Sequence, residues 1–330
     1  MKIKIFTLSI LMLLFIGTGS AQQSTKLEFN KNGEFKIAQF TDMHINQKKE
    51  SIQLVLDIVH KVVKAENPYL VVFTGDIVTE NNPENAFGQI GELLAATETQ
   101  WAVVLGNHDD EHNAKRPEVA KMLTTLPYCL NQVSEGIYGT TNFVLPVGQG
   151  KKKSLLYFMD SNAYSTLKKK NIEGYGWFDL SQINWYKKTS SEFTEENKGK
   201  PLPALAFFHI PLPEYNQVWD TKEIKKLGVK NEKVCCPDIN TGMFAAMVEA
   251  GDVMGTFVGH DHVNDYMGVL YNIALAYGRC SGAGNAYGDL PPGGRIIVLK
   301  EGKREFDSWI REANGNKVLE CTYPDAFVDK

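Results

Sequence analysis

FKIAQFTDMH at 35–44, YLVVFTGD at 69–76 and WAVVLGNHD at 101–109 share one plan: a short apolar run stops abruptly at polar residues. Each run is too short for a buried helix and rich in β-branched or aromatic side chains, so each reads as a strand buried on both faces. Between the first two, Ile52, Leu56, Val59 and Val63 recur at helical spacing within 51–65, and Asn67-Pro68 closes the pattern. A second helix, over 86–96, precedes the third strand. Strand, helix, strand, helix, strand is the signature of parallel βαβ units with right-handed crossovers.

Further along, 142–147 and 154–159 read as strands around a turn at 148–153, and 181–193 reads as a helix. A short strand at 204–208 is bracketed by Pro201, Pro203, Pro211 and Pro213, which cannot donate to a sheet ladder. A helix over 243–250 leads into a strand at 253–258 that ends on Gly259. The runs 295–299 and 306–310 alternate around Glu301-Gly302 as a hairpin. The fold class is α/β.

Composition narrows the function. The chain has 330 residues, 43% hydrophobic and 22% charged, which excludes disordered, collagen-like and coiled-coil classes. A formal charge of −4 argues against general nucleic-acid binding. Five cysteines with no CxxC pair exclude a disulfide scaffold and a thiolate zinc site. Cys235 and Cys236 are adjacent, which strains a mutual disulfide.

At the start, Lys2 and Lys4 precede an apolar run at 5–16, and Gly19 and Ala21 stand before Gln22. That pattern is a signal peptide over 1–21. The run is shorter than the roughly 20 residues a membrane span needs. The expectation is a secreted or periplasmic protein, cleaved near Ala21, with no membrane span in the mature chain. A polar lead-in at 22–34 then precedes one domain over 35–313, and 314–330 reads as a C-terminal tail.

Five of the seven histidines fall at or just beyond predicted strand ends. In order, the pieces are Asp42-Met43-His44, Gly75-Asp76, Gly106-Asn107-His108-Asp109, His209 and Gly259-His260-Asp261-His262. Ligands of open α/β sheets bind beyond the carboxyl ends of strands, so these side chains are expected at one rim. In extended chain, residues i and i+2 face the same way. Asp42 and His44 would then grip one ion, while His260 and His262 would reach two adjacent ones. Histidine, aspartate and asparagine without thiolate suit Mn, Fe or Zn. Gly-Asn-His-Asp arises by chance in roughly one chain in a thousand of this length, so it outweighs the commoner Gly-Asp.

This set resembles the calcineurin-like metallophosphoesterase family, which includes purple acid phosphatases, protein phosphatases and nucleases. The spellings FHIPLPE at 208–214 and VGHDHVND at 258–265 are similar to one branch, with plant proteins named as inactive purple acid phosphatases and a related yeast phosphatase. The resemblance implies a four-layer α/β/β/α sandwich with two mixed sheets and a pair of divalent or mixed-valence ions. It implies that Asp42, His44 and His262 hold one ion, that Asn107, His209 and His260 hold the other, and that Asp76 bridges them. His108 would be a catalytic proton donor without binding metal, and Asp109 would orient it. The implied activity is hydrolysis of a small phosphate monoester by metal-activated hydroxide, with phosphodiester cleavage or metal-retaining binding without turnover as alternatives. Two departures from purple acid phosphatases stand out: Thr79 replaces their tyrosine, and His44 has no counterpart there.

The remaining candidates have blander readings. His60 reads as a helix-surface residue, His112 as a loop residue and Asp160 as a turn or cap residue. Arg279, in a Gly-rich loop with Tyr277 and Tyr287, reads as a surface-loop side chain or a phosphate contact. The loops 136–150, 164–177 and 214–238 are expected to shape the pocket.

Overall fold

The computed structural model describes residues 26–46, 49–79, 82–111, 114–282 and 288–328. The signal-peptide reading of 1–21, His112 and Tyr287 lie outside the described residues.

The first βαβ units form as their sequence pattern demands. Strands β1 (Glu34–Phe40), β2 (Leu70–Thr74) and β3 (Gln100–Val104) pair in parallel. Helix α1 (Lys49–Glu66) crosses from β1 to β2, and α2 (Pro83–Ala96) crosses from β2 to β3. Helix α2 starts on Asn82, whose side chain accepts from the Asn85 N–H, followed by Pro83, whose missing N–H costs nothing in a first turn. The apolar stripe of α1 (Ile52, Val55, Val59, Val63) and that of α2 (Phe87, Ile90, Leu94) pack on this sheet.

A second sheet follows. Helix α3 (Arg116–Leu123) leads to strands β4 (Phe143–Val147) and β5 (Ser154–Phe158), helix α4 (Leu180–Glu196) and strand β6 (Ala204–Phe207). Next come helix α5 (Glu214–Asp220), strand β7 (Lys226–Leu227), helix α6 (Met243–Ala250) and strands β8 (Val253–Val258), β9 (Met267–Leu270) and β10 (Ile273–Tyr277). The chain then returns to the first sheet through β11 (Gly293–Lys300), β12 (Phe306–Glu312) and β13 (Lys317–Tyr323). The sheet orders are β13-β12-β11-β1-β2-β3 and β4-β5-β6-β8-β10-β9-β7, and both sheets are mixed.

The inner faces bury one core between the sheets, including Ile37, Val72, Leu205, Ile297 and Leu299. An aromatic ladder crosses it: Phe143, Phe158, Phe207, Phe257, Phe306 and Tyr323 have successive ring centroids 4.6 to 5.7 Å apart. Tyr186 of α4 and Met247 of α6 cover the outer face of the second sheet, completing four layers, α/β/β/α. No helix among the described residues is long and apolar enough to cross a membrane.

The structure departs from the sequence reading in several places. The segment at 314–330, read as a tail, contributes β13, which pairs antiparallel with β12. Strands β9 and β10 were not foreseen; their turn holds Tyr271 and Asn272, both at positive φ, without the glycine that usually marks such hairpins. Arg279 is neither a surface-loop residue nor a phosphate contact. It is 3% exposed, and its guanidinium donates to Asp265 Oδ2 at 2.5 Å, Glu312 Oε1 at 3.2 Å and the Pro291 carbonyl at 2.8 Å. This arrangement ties the second sheet to the end of β12. Replacing one member of a buried ion pair strands the other charges, so Arg279→Leu is expected to cost about 3–5 kcal/mol. A urea unfolding curve would register this as a lowered midpoint, and an unchanged midpoint would contradict the tie.

Candidate metal centre

Strands from both sheets end at one seam and deliver the polar side chains there. Asp42 follows β1, Asp76 follows β2, Asn107 and His108 follow β3, His209 follows β6 and His260 follows β8. The extended geometry expected for Asp42-Met43-His44 is not what forms. Asp42 and His44 adopt left-handed backbone, at φ 53° and 47°, as do Asp76 at 52° and His260 at 77°. Aspartate and histidine tolerate that region better than most residues, yet four such positions together mark a built site. The turn is held by N–H donation from Asp42 to Gly75 O at 3.0 Å and from His44 to Asp76 O at 3.0 Å. Gly75, at φ 87°, has no room for a side chain, since a Cβ there would lie 2.5 Å from His209 Nδ1.

Two clusters of donor atoms result. Asp42, His44 and His262 bring one atom each within 4.8 Å of one another, and so do Asp76, His209 and His260. In the first cluster, His44 Nε2 and His262 Nε2 face each other at 2.9 Å, and His262 Nε2 lies 3.5 Å from Asp42 Oδ1. In the second, His209 Nε2 lies 3.1 Å from Asp76 Oδ2, 3.2 Å from Asn107 Oδ1 and 3.1 Å from His260 Nδ1. His260 and His262, two residues apart, thus serve different clusters.

The donor set can be tested against a cation by asking where the protons sit. His209 Nδ1 donates to the Thr74 carbonyl at 2.8 Å, so in the neutral ring Nε2 is a bare lone pair. That lone pair confronts a carboxylate oxygen, an amide oxygen and a second imidazole nitrogen. Asn107 turns its amide oxygen to this gap, with its Nδ2 donating to the Tyr164 hydroxyl at 3.1 Å. A proton or a cation must fill the gap, and a cation satisfies all four donors at once. The residues therefore fit a metal ion at each cluster.

Burial and charge show the same frustration. Burial alone would depress the His209 ring, but the Asp76 charge and hydrogen bond outweigh it and raise its pKa to about 9. Asp76 in turn is held far below the usual carboxylate range, its burial outweighed by His209. His260 goes the other way, pushed down to about 3 by burial and by the neighbouring His209. Burial also lowers His44, leaving its ring neutral and able to ligate.

Asp109, which the resemblance implied would orient His108, sits beside these clusters with its carboxylate engaged by backbone N–H groups. Its carboxylate accepts N–H bonds from Gly106 at 2.7 Å, Ile77 at 2.8 Å, and Asp76 and Val78 at 2.9 Å. It clamps the β2 and β3 ends together, while burial and Asp76 push its pKa up to about 6. The side chain facing the His108 ring is Glu111, with Oε2 2.8 Å from Nδ1. Sequence reading missed Glu111, although its i+3 spacing from His108 was a visible signal. It also left Tyr164 and Tyr175 unranked within their loop; Tyr175 meets the His260 ring edge-on at 4.2 Å.

The lesser candidates are structural. Asp160 accepts from Arg116, the Thr140 N–H and the Asn162 N–H, and Arg116 also donates to the Leu105 and Gly106 carbonyls at the end of β3. His60 is exposed on α1. The Thr79 hydroxyl is taken by the Ile45 carbonyl at 3.3 Å. All five cysteines are free thiols.

The family model for "Calcineurin-like phosphoesterase" matches residues 35–264. "Probable inactive purple acid phosphatase 29" of Arabidopsis thaliana is 36% identical, over 87% of this chain and 82% of its own. "Phosphatase DCR2" of Saccharomyces cerevisiae is 30% identical, over 90% of this chain and 57% of its own. The fold matches a crystal structure described as a dimetal phosphatase from Danio rerio, with a TM-score of 0.58 and 13% identity over 87% of this chain and 98% of that one.

Asp109→Ala leaves four buried N–H groups without an acceptor and is expected to destabilise the fold by about 3 kcal/mol. His108→Ala, at the rim, should change stability by less than about 1 kcal/mol. Denaturant melts of the two variants check the contrast.

Proposed function

The chain belongs to the calcineurin-like phosphoesterase family, and from that premise we propose that it is a secreted dinuclear-metal phosphoesterase hydrolysing small phosphate monoesters. The observation that carries the reading is the pair of donor clusters at one seam, with the half-buried His108 ring beside them. In this reading Asp42, His44 and His262 hold one cation, Asn107, His209 and His260 hold the second, and Asp76 lies between. Mn, Fe or Zn suit imidazole, carboxylate and amide donors with no thiolate. Bound there, such cations supply Lewis acidity toward phosphoryl oxygens and water made nucleophilic near neutral pH.

The chain's own groups do the rest. The backbone N–H of His108 donates to Asp76 Oδ1 at 2.9 Å, which fixes the loop on the carboxylate. The His108 ring turns Nε2 toward the centre, 4.0 Å from Asp76 Oδ2, where it can give a proton to the departing ester oxygen. Tyr164 and Tyr175 stack at 6.2 Å and wall the second cluster, taking up room beside it, which supports a monoester over a bulkier diester. Phosphodiester cleavage is the second reading, favoured by His44, which supplies a ring nitrogen to the first cluster. The apolar run at 5–16, with its basic start, supports secretion.

Elemental analysis of the reconstituted protein should find about two cations per chain in both wild type and His108→Ala. The rate on phenyl phosphate should fall about 10²–10⁴-fold in the variant. Metal retention with no turnover of any phosphoester would instead indicate a binding protein. A higher kcat/KM on bis(p-nitrophenyl) phosphate than on p-nitrophenyl phosphate would select the diester reading.

A pH dependence follows from His209. Its raised pKa means that the metal-free protein carries a proton on Nε2 at neutrality, and that proton must leave before the nitrogen ligates. Zn²⁺ affinity, measured by chelator competition, should rise across about pH 6 to 8.5 and level off only above His209's value. A flat profile would show that no proton has to leave His209 Nε2 in this range, contrary to its raised pKa.

A further inference from the structure

A histidine that delivers a proton needs its ring held and its other nitrogen kept protonated, and Asp109 is occupied by four backbone N–H groups. The group that faces His108 Nδ1 is Glu111, at 2.8 Å. The approach is short but out of line, so Nδ1 has no formed hydrogen bond in this state. Such contacts commonly straighten only when substrate is bound. Glu111 is itself restrained. Its N–H donates to the His108 carbonyl at 3.3 Å, and its Oε1 accepts from the Tyr164 hydroxyl at 3.3 Å. The same hydroxyl oxygen accepts from Asn107 Nδ2. A continuous line of contacts thus runs Asn107, Tyr164, Glu111, His108.

We propose that Glu111, held by Tyr164, is the positioning residue for His108, fixing the ring with Nδ1 protonated and Nε2 turned to the leaving oxygen. The inference rests on the phosphoesterase reading and names the part that works through His108. In the step, the proton on Nε2 passes to the ester oxygen as the P–O bond breaks. The ring is left neutral with its remaining proton on Nδ1, against the Glu111 carboxylate, and solvent returns a proton to Nε2 afterwards. A carboxylate in that place stabilises the charged ring and selects one tautomer of the neutral one.

The test uses the full metal-loaded chain and two esters that differ in their need for a proton. Phenoxide is a poor leaving group and 2,4-dinitrophenoxide a good one. Glu111→Gln should lower kcat on phenyl phosphate by about 10–100-fold with KM little changed. The loss on 2,4-dinitrophenyl phosphate should be at least about tenfold smaller, as expected when proton donation is impaired. Tyr164→Phe should move both rates in the same direction by less. A merely structural role would lower the two rates equally, and that result overturns the proposal.

A second readout needs no turnover. Long-range ¹H–¹⁵N spectra of the metal-free protein, with the His108 signals identified by their absence in His108→Ala, should show a ring protonated on Nδ1. Glu111→Gln should shift that ring toward the other tautomer; an unchanged ring overturns the proposal. A wild type that hydrolyses neither ester would defeat the phosphate-monoester reading, while the spectra would still decide the Glu111 contact.

Discussion

Two aspartates, Asp42 and Asp76, are each 1% exposed at the seam between the sheets, and the rest of the site is arranged to keep them there. An isolated buried carboxylate would neutralise itself by taking a proton, and these two are held in the charged range by what surrounds them. Asp42 accepts the His260 N–H and the Thr41 hydroxyl. Asp76 accepts the His108 N–H and faces His209. A left-handed non-glycine residue costs about 1–3 kcal/mol and persists only where its surroundings over-determine it. Here the surroundings are strand ends from both sheets.

The seam is therefore a mechanical problem before it is a chemical one. Gln39 of β1 donates to Thr74 of β2 at 2.9 Å and to the Val258 carbonyl of β8 at 3.0 Å, spanning both sheets just below the clusters. His209, from the second sheet, reaches the Thr74 carbonyl of the first. Deeper in, the buried Arg295 joins the Tyr277 carbonyl, the Ser308 hydroxyl and the Asp265 carbonyl. The bonds from Gln39 to Val258, His209 to Thr74 and Arg295 to Tyr277 and Asp265 cross from one sheet to the other, where the aromatic ladder contributes attraction but no register. Apolar packing brings the layers together, and the polar crosslinks decide which atoms meet.

That division explains what could be read from the chain alone. The βαβ half was legible because its signals are local: Tyr69 to Phe73 is apolar without a break and the α1 stripe is clean. The ligand-type residues were legible because each sits directly after such a run. The left-handed turn at Asp42 to His44 was not, since it depends on acceptors supplied by Gly75 and Asp76. Asp109 was misplaced for a related reason. The resemblance implied that it would orient His108, but successive side chains diverge in a tight turn, and its four donors come from two strand ends. Arg279 needed Asp265 and Glu312, which are distant in sequence and only meet it once both sheets exist. Helix α3 carried too thin an apolar stripe to declare itself, yet its Arg116 braces the end of β3.

The buried carboxylates also separate scaffold from ligand without any ion in view. Asp160 faces a guanidinium and backbone N–H groups; Asp261 accepts the Tyr277 hydroxyl and the Cys235 N–H; Asp265 accepts Arg279 and the Val229 N–H. Each contact there has an unambiguous proton donor, so each carboxylate is complete as it stands. Asp42 and Asp76 differ, because part of each faces imidazole nitrogens that are contested by other acceptors. His209 Nε2 cannot donate to Asp76, Asn107 and His260 together, and His44 and His262 cannot both donate across 2.9 Å. Buried polar groups are normally satisfied, so a cluster that cannot satisfy itself with its own protons is shaped for something else that carries positive charge. A name that marks a relative as inactive does not alter this count, because the donors in this chain are intact and converge regardless of how fast any of them turns substrate over.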